Sequence, residues 1–189
     1  MTSFLESSEG KHHLKVAEYI DAVWDGMDNI EHKVVVSIAN VLHSVRDTGG
    51  TVYVAGNGGS AANALHLAGH LTMLGFRVEC PVANPVALTA ASNDYGYGNG
   101  LFQQIRKQNL ASGVFDACVV LSCSAYSRNV VMFETQFKSI HGFDSDHRTI
   151  ALTGDMKNRS KEIRLNSDIE LRVASDNYGV IEDVHSVAI

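Results

Sequence analysis

The sequence contains little proline, a single tryptophan and no pair of cysteines spaced C-x-x-C. Two prolines among 189 residues leave long helices and strands uninterrupted. The three cysteines are odd in number and none is spaced C-x-x-C, which argues against a disulfide framework or a zinc ribbon and is typical of reduced thiols in the cytoplasm. The first residues lack a cationic segment followed by an apolar run, so we expect no secretory signal.

Basic residues are also too few for general nucleic-acid binding. Lys and Arg number 15 against 21 Asp and Glu, a formal net charge of −6, whereas nucleic-acid-binding domains normally carry a basic face. No stretch approaches about 18 uninterrupted apolar residues, so no transmembrane helix is predicted. We therefore expect a cytoplasmic protein that binds neither nucleic acid directly nor a membrane.

The hydrophobic content, 45%, is sufficient for one sizeable core. No repeat of solenoid period and no low-complexity linker divides the chain, so a single domain over residues 1–189 is predicted. Apolar residues recur at helical spacing in residues 12–27 and again in 29–47, where Gly49-Gly50 ends the second helix. Residues 1–50 are thus predicted to form a helical hairpin, packed beside a sheet or against another subunit, ahead of a core at 51–189.

From residue 51 onward, short β-branched segments alternate with amphipathic ones. Strands are predicted at Thr51–Ala55, Val86–Ala91, Ala117–Ser122, Thr149–Thr153 and Asp168–Val173. Helices are predicted at Ala61–Leu74, Gly98–Gln108 and Asn129–Ile140, with a last one starting near Val180. Strands that alternate with helices of about ten residues or more indicate an α/β fold with a parallel sheet covered on both faces.

Two loops that follow predicted strands carry groups suited to an anion. In open parallel sheets, ligands bind at the carboxyl ends of the strands. The first loop is Gly56–Ser60, in which glycines permit close backbone approach, Ser60 can cap the next helix, and the helix N-terminus attracts negative charge. The second loop carries the hydroxyls of Ser122, Ser124 and Ser127 just before another helix. Each loop alone is also an ordinary turn, but two in one sheet predict a phosphate-binding site.

Five segments carry a resemblance to a known family. They are VYVAGNGGSAANALHLAGHL (52–71), ALTAASNDYGYGN (87–99), LSCSAYSRNV (121–130), TIALTGD (149–155) and DIELRVASDNYGVIEDVHSVAI (168–189). The sequence resembles the sugar isomerase (SIS) domain family and, within it, the phosphoheptose isomerases. The resemblance implies a three-layer sandwich with a five-stranded parallel sheet. It also implies a homotetramer, with the opening helices at the subunit contacts and with active sites shared between subunits.

The same resemblance implies an activity and a set of substrate contacts. The activity would be ketose–aldose isomerisation of a sugar phosphate through an enediol, with sedoheptulose 7-phosphate converted to a heptose 7-phosphate. Within the second loop, Cys123 stands where the family usually has a threonine. Composition alone would make Asn93-Asp94 a turn. The implied substrate contacts are Asn57, Gly58, Gly59, Ser60, Asn93, Asp94, Ser122, Cys123, Ser124, Ser127 and Glu182.

A histidine pair marks a candidate metal site. His66 and His70 are four residues apart on a predicted helix, which places both on one face, although such pairs are more often plain surface or core residues. The family implies zinc bound by a His and a Glu at these positions, with the Glu as catalytic base. Here His70 replaces the Glu, and Glu182 stands at the position of a Gln ligand. The hypothesis is a site of His66, His70 and Glu182 that binds zinc or another divalent metal and carries the proton transfer, with His185 as a spare candidate.

Two non-enzymatic functions stay open at this stage. Some SIS proteins close to this subgroup are adaptors that bind the replication initiator protein, and they keep the sugar-phosphate loops without needing catalytic groups. The other reading is a sugar-phosphate-sensing module that regulates a partner. Turnover of sedoheptulose 7-phosphate separates the isomerase from both, and capture of an initiator protein identifies the adaptor.

Overall fold

The computed structural model describes residues 8–105, 114–141, 146–156 and 164–189, in which strands and helices alternate. The helices of these ranges are α1 (Ser8–Asp28), α2 (His32–Thr48), α3 (Gly59–Met73), α4 (Pro85–Tyr95), α5 (Gly100–Ile105), α6 (Arg128–His141) and α7 (Tyr178–Ala188). The strands are β1 (Thr51–Gly56), β2 (Arg77–Glu79), β3 (Ala117–Ser122), β4 (Arg148–Gly154) and β5 (Ile169–Val173). Part of the predicted helix Gly98–Gln108, residues 106–108, lies outside the described ranges.

The strands form a five-stranded parallel sheet in the order β2-β1-β3-β4-β5. Successive side chains of a strand point to opposite faces, and both faces are buried here. Val52 and Val54 pack into a cluster with residues of α2, α3 and α7. Tyr53 and Ala55 pack on the other face with residues of α5 and α6. Helices therefore cover both faces of the sheet, and the predicted three-layer α/β fold is confirmed.

The predicted strand at Val86–Ala91 is wrong, because this segment lies in α4. Asn84 caps that helix by accepting a hydrogen bond from the Ala87 N–H at 3.0 Å, and Pro85 occupies the first helical position. An Asn cap followed by proline is a strong helix-start signal, and it outweighs the strand propensity of one valine. The second strand is instead β2, a three-residue edge strand beside β1.

The two opening helices are present, as predicted, and α1 packs against α7. The Tyr19 hydroxyl donates to Asp183 at 2.6 Å, and a Cβ on Gly26 would lie only 2.8 Å from Val184 Cγ2. The same helix leaves Trp24 61% exposed and Ile20 48% exposed. No helix within the described ranges is both long enough and apolar enough to span a bilayer.

Candidate functional site

The two predicted loops lie side by side because β1 and β3 are neighbours in the sheet. Gly56 at the end of β1 pairs with Leu121, one residue before the end of β3, so both loops leave the same edge. The turn into α3 depends on glycine: a Cβ on Gly56 would lie 2.5 Å from the Ser60 carbonyl oxygen, and Gly58 has φ of 56°. The sequence thus brings a helix N-terminus and a serine-rich loop to one point.

A cavity of about 100 Å³ lies between these loops. The residues that line it are Asn57, Ser60, Leu121, Ser122, Cys123, Ser124, Ser127, Tyr178 and Glu182. Ser122 Oγ donates to Ser127 Oγ at 3.3 Å, which draws two of the predicted hydroxyls together. The cavity is thus lined mainly by hydroxyl donors, a composition suited to a phosphate group.

Glu182 joins this cavity from α7, and its carboxylate lies at the N-terminus of α3. The Ser60 N–H donates to Glu182 Oε1 at 3.0 Å, and Asn63 Nδ2 donates to the Glu182 carbonyl oxygen at 2.7 Å. A Cβ on Gly59 would lie 2.1 Å from Glu182 Oε2, so the carboxylate can lie this close to the loop only beside a glycine. The partial positive charge of a helix N-terminus favours an anion at this place.

Cys123 is a neutral hydrogen-bonding group in the cavity. Its side chain is buried, and Sγ lies 3.6 Å from Ser60 Oγ and donates to Glu182 Oε1 at 3.7 Å. Burial, with a smaller contribution from the nearby Glu182 carboxylate, raises the pKa of the Cys123 thiol to about 11. The thiol therefore stays protonated at neutral pH, which excludes it as a nucleophile there.

A larger cavity of about 620 Å³ adjoins the first, and the two share Asn57 and Ser127. The residues that line it are Asn57, Tyr95, Gly96, Tyr97, Gly98, Asn99, Ser127, Arg128, Asn129 and Met132. Asn57 and Asn129 exchange two side-chain hydrogen bonds of 2.8 Å, and the Tyr97 hydroxyl donates to Asn57 Oδ1 at 3.0 Å. The Asn57 side chain therefore ties the loop after β1 to the start of α6, with Oδ1 already accepting two hydrogen bonds.

The three predicted metal ligands do not form one cluster. The rings of His66 and His70 are 4.4 Å apart between centroids on the exposed face of α3, as their spacing indicates. Glu182 instead bonds to the Ser60 N–H at the first turn of that helix. Within the described ranges, no group of three or more His, Cys, Asp or Glu side chains is arranged to hold a metal ion. The proposed three-ligand site in one chain is corrected accordingly, and zinc binding itself stays a prediction.

Three further candidates do not line either of the two cavities. Asn93 and Asp94 are exposed in the last turns of α4, where Asn93 Nδ2 donates to Asp94 Oδ1 at 3.1 Å, and neither lines the 100 Å³ or the 620 Å³ cavity. His185 is fully buried and its Nε2 donates to the Thr153 carbonyl oxygen at 3.1 Å. Burial lowers the pKa of His185 to about 4, so the ring is neutral at pH 7. His185 is therefore part of the core of α7, with a neutral ring that lines neither cavity.

Sequence reasoning missed Tyr97, Arg128, Asn129 and Tyr178 as residues that line the cavities. Asn129 and Tyr97 lie in the segments 121–130 and 87–99 that carry the family resemblance, and Asn129 also starts a predicted helix, but neither was given a role in the site. Their contacts join parts of the chain that are 40 and 72 residues apart, and no local pattern indicates such pairing.

Comparisons with known proteins agree with this fold and site. The family model described as SIS domain matches residues 17–154. A probable phosphoheptose isomerase from Thermoplasma acidophilum is 32% identical over 171 residues, which cover 85% of this chain and 86% of that protein. A phosphoheptose isomerase from Chlorobium limicola is 38% identical over 130 residues, 64% of this chain but only 56% of that relative's length. The chain therefore belongs to the SIS domain family.

Solved structures place it near one branch of that family. A phosphoheptose isomerase from Francisella tularensis superposes with a TM-score of 0.78 at 25% identity, covering 96% of this chain and 94% of that one. A phosphoheptose isomerase from Neisseria gonorrhoeae gives a TM-score of 0.77 at 26% identity, with 96% and 95% covered. Within the SIS domain family, the chain is thus similar to phosphoheptose isomerases in both sequence and structure.

Proposed function

We propose that this chain is a phosphoheptose isomerase that converts sedoheptulose 7-phosphate to an aldoheptose 7-phosphate. The observation that carries the proposal is a single cavity in which serine hydroxyls lie together with one carboxylate, that of Glu182. Hydroxyl donors suit the phosphate, and a carboxylate suits the proton transfer of an isomerisation. The names of the relatives in sequence and in structure support the same activity.

The reaction moves two protons and needs no external oxidant. One proton leaves C1 of the ketose to give an enediol and returns at C2, while a hydroxyl proton moves from O1 to O2. Glu182 is the carboxylate among the described cavity residues, so we assign it the C1–C2 transfer. The serine hydroxyls hold the phosphate at the other end of the substrate, and Asn57, tied to Asn129, keeps the two loops at a fixed separation.

We also propose that His66 and His70 bind zinc. Two imidazoles at i and i+4 on an exposed helix face can supply two ligands, and a second subunit or water would complete the coordination. Bound zinc would act as a Lewis acid on a substrate oxygen. The proton transfer assigned to Glu182 does not depend on it.

Elemental analysis tests this zinc proposal directly. The chain, dialysed after incubation with zinc, is expected to retain stoichiometric metal, and His66→Ala is expected to lose most of it. His32→Ala, which removes an exposed histidine at the start of α2, serves as the control and should retain zinc like the wild type. Wild-type protein without stoichiometric zinc, or a His66→Ala variant with unchanged content, would refute the site.

Assembly and location belong to the same proposal. We propose a homotetramer, in which the exposed apolar face of α1, with Ile20 and Trp24, is covered by another subunit. Light scattering on the full chain would give the mass of the assembly, and the mass of a monomer would contradict the proposed homotetramer.

We propose a cytoplasmic location because Cys80, Cys118 and Cys123 are all free thiols.

The experiment that tests the activity follows sedoheptulose 7-phosphate with the full-length chain. An aldoheptose 7-phosphate is the expected product, and sedoheptulose without the phosphate should not be turned over because nothing then engages the serines. Binding of the sugar phosphate without any product would refute the isomerase and indicate a sensing module. Capture of a replication initiator protein, again without turnover, would indicate an adaptor.

A further inference from the structure

The two charged residues that line the adjoining cavities are in different cavities. Of the described residues that line either cavity, only Arg128 and Glu182 carry a full charge. Glu182 lines the 100 Å³ cavity, and Arg128 lines the 620 Å³ cavity. Asn57 and Ser127 line both, so the boundary between the cavities lies at these two residues.

This arrangement bears on where a phosphate can bind. A phosphate is dianionic near neutral pH, so a position beside the Glu182 carboxylate is disfavoured by like-charge repulsion, and a position toward a guanidinium is favoured. The hydroxyls of Ser122 and Ser127 are 3.3 Å apart, and Ser127 immediately precedes Arg128 in the chain. The same serines can therefore serve a phosphate that lies on the Arg128 side of the boundary.

Arg128 is available to bind an anion. Its side chain is exposed at the first residue of α6, and no described carboxylate forms an ion pair with it. The segment before α5 flanks the guanidinium: a Cβ on Gly98 would lie 3.5 Å from Arg128 Nε. A planar guanidinium donates paired hydrogen bonds to phosphate oxygens, and such charge-assisted bonds are stronger than those of neutral hydroxyls.

We propose that Arg128 binds the phosphate of the substrate, together with Ser122 and Ser127. The phosphate then lies at the junction of the two cavities, and the carbon chain extends toward Glu182, where the proton transfer occurs. Arg128 is thus a substrate-binding residue that selects dianionic sugars, and the separation of the two charges sets the direction in which the substrate lies. This inference rests on the proposed isomerase function for the identity of the substrate.

The test compares Arg128→Gln and Arg128→Lys with the wild type in the full-length chain. Calorimetry gives the Kd for inorganic phosphate, and steady-state kinetics give KM and kcat for sedoheptulose 7-phosphate at several ionic strengths. Arg128→Gln is expected to raise both Kd and KM by about 10- to 100-fold, the loss of a charge-assisted contact. Its kcat should stay within about twofold, since the contact is made equally in ground and transition states. Arg128→Lys keeps the charge, so its Kd and KM should lie between those of the wild type and those of Arg128→Gln.

Control measurements separate this result from loss of fold or of function. Arg46→Gln removes the same charge from α2, lines neither cavity and should behave as the wild type. The Arg128→Gln variant should also show a weaker dependence of KM on salt. Unchanged Kd and KM in Arg128→Gln would overturn the proposal even if the chain is an isomerase. If Arg128→Gln binds phosphate more weakly but the wild-type chain turns over no sugar, the phosphate-binding role of Arg128 stands and the proposed isomerase function is refuted.

Discussion

Replacing Glu182 with Gln is expected to lower kcat for sedoheptulose 7-phosphate by about 10²- to 10⁴-fold, the usual range for a positioned acid–base group. Glutamine has nearly the same shape, and its Oε1 can still accept the 3.0 Å hydrogen bond from the Ser60 N–H. It cannot take the proton from C1. Steady-state kinetics on folded Glu182→Gln protein measure the effect.

Two comparisons make this result specific. Asp183→Asn changes the adjacent charge on α7, at an exposed residue that bonds to Tyr19 and lines neither cavity, and should leave kcat near the wild-type value. Glu182→Gln should also bind inorganic phosphate at least as tightly as the wild type, because a repelling charge has been removed. If Glu182→Gln keeps full kcat while His70→Gln loses it, the proton acceptor is His70 and our assignment is wrong.

Mild acid is expected to destabilise the fold through His185. The pKa of its buried imidazole is lowered to about 4, against 6.5 for a histidine in water, so the unfolded chain binds a proton that the folded chain excludes. His185 therefore does not lower the free energy of unfolding above about pH 6.5. Between about pH 6.5 and pH 4 its protonation in the unfolded chain lowers that free energy progressively, and below about pH 4 this group causes no further loss. A shift of this size corresponds to about 3 kcal/mol of unfolding free energy.

Urea unfolding between pH 7 and pH 4 measures this effect by difference. His185→Asn lacks the titrating group, so its free energy of unfolding should fall less steeply with acid. His43→Asn, at an exposed residue of α2, should follow the wild-type curve. Parallel curves for wild type and His185→Asn would show that the buried imidazole is not the source.

The parts of the fold that the sequence predicts well are those where one local signal is strong. Strand β3 consists of six consecutive buried residues and was predicted with the same bounds. The strand prediction at Val86–Ala91 is wrong, although the signal for a helix, an Asn cap followed by Pro85, is present in the sequence. In so short a segment, residue type is a weaker guide to secondary structure than helix capping. Strand β2 has only three residues, too few for the alternation of apolar and polar residues that identifies a strand.

The candidate site shows a similar division. The serine and glycine loops were predicted from their place after strands, and the structure brings Ser60, Ser122 and Ser127 to one cavity. The spacing of His66 and His70 correctly predicts that they share a helix face, but not which way that face points. The position of Glu182 depends on the missing Cβ of Gly59, a contact 123 residues away that only packing creates.

Turnover of sedoheptulose 7-phosphate in D₂O by the full-length chain tests the central claim most directly. An enediol formed and reprotonated at a cavity carboxylate should yield aldoheptose 7-phosphate with deuterium at C2, detected by NMR or mass spectrometry, and Glu182→Gln should abolish this incorporation. Substrate that binds and is recovered with no product and no deuterium would contradict the account.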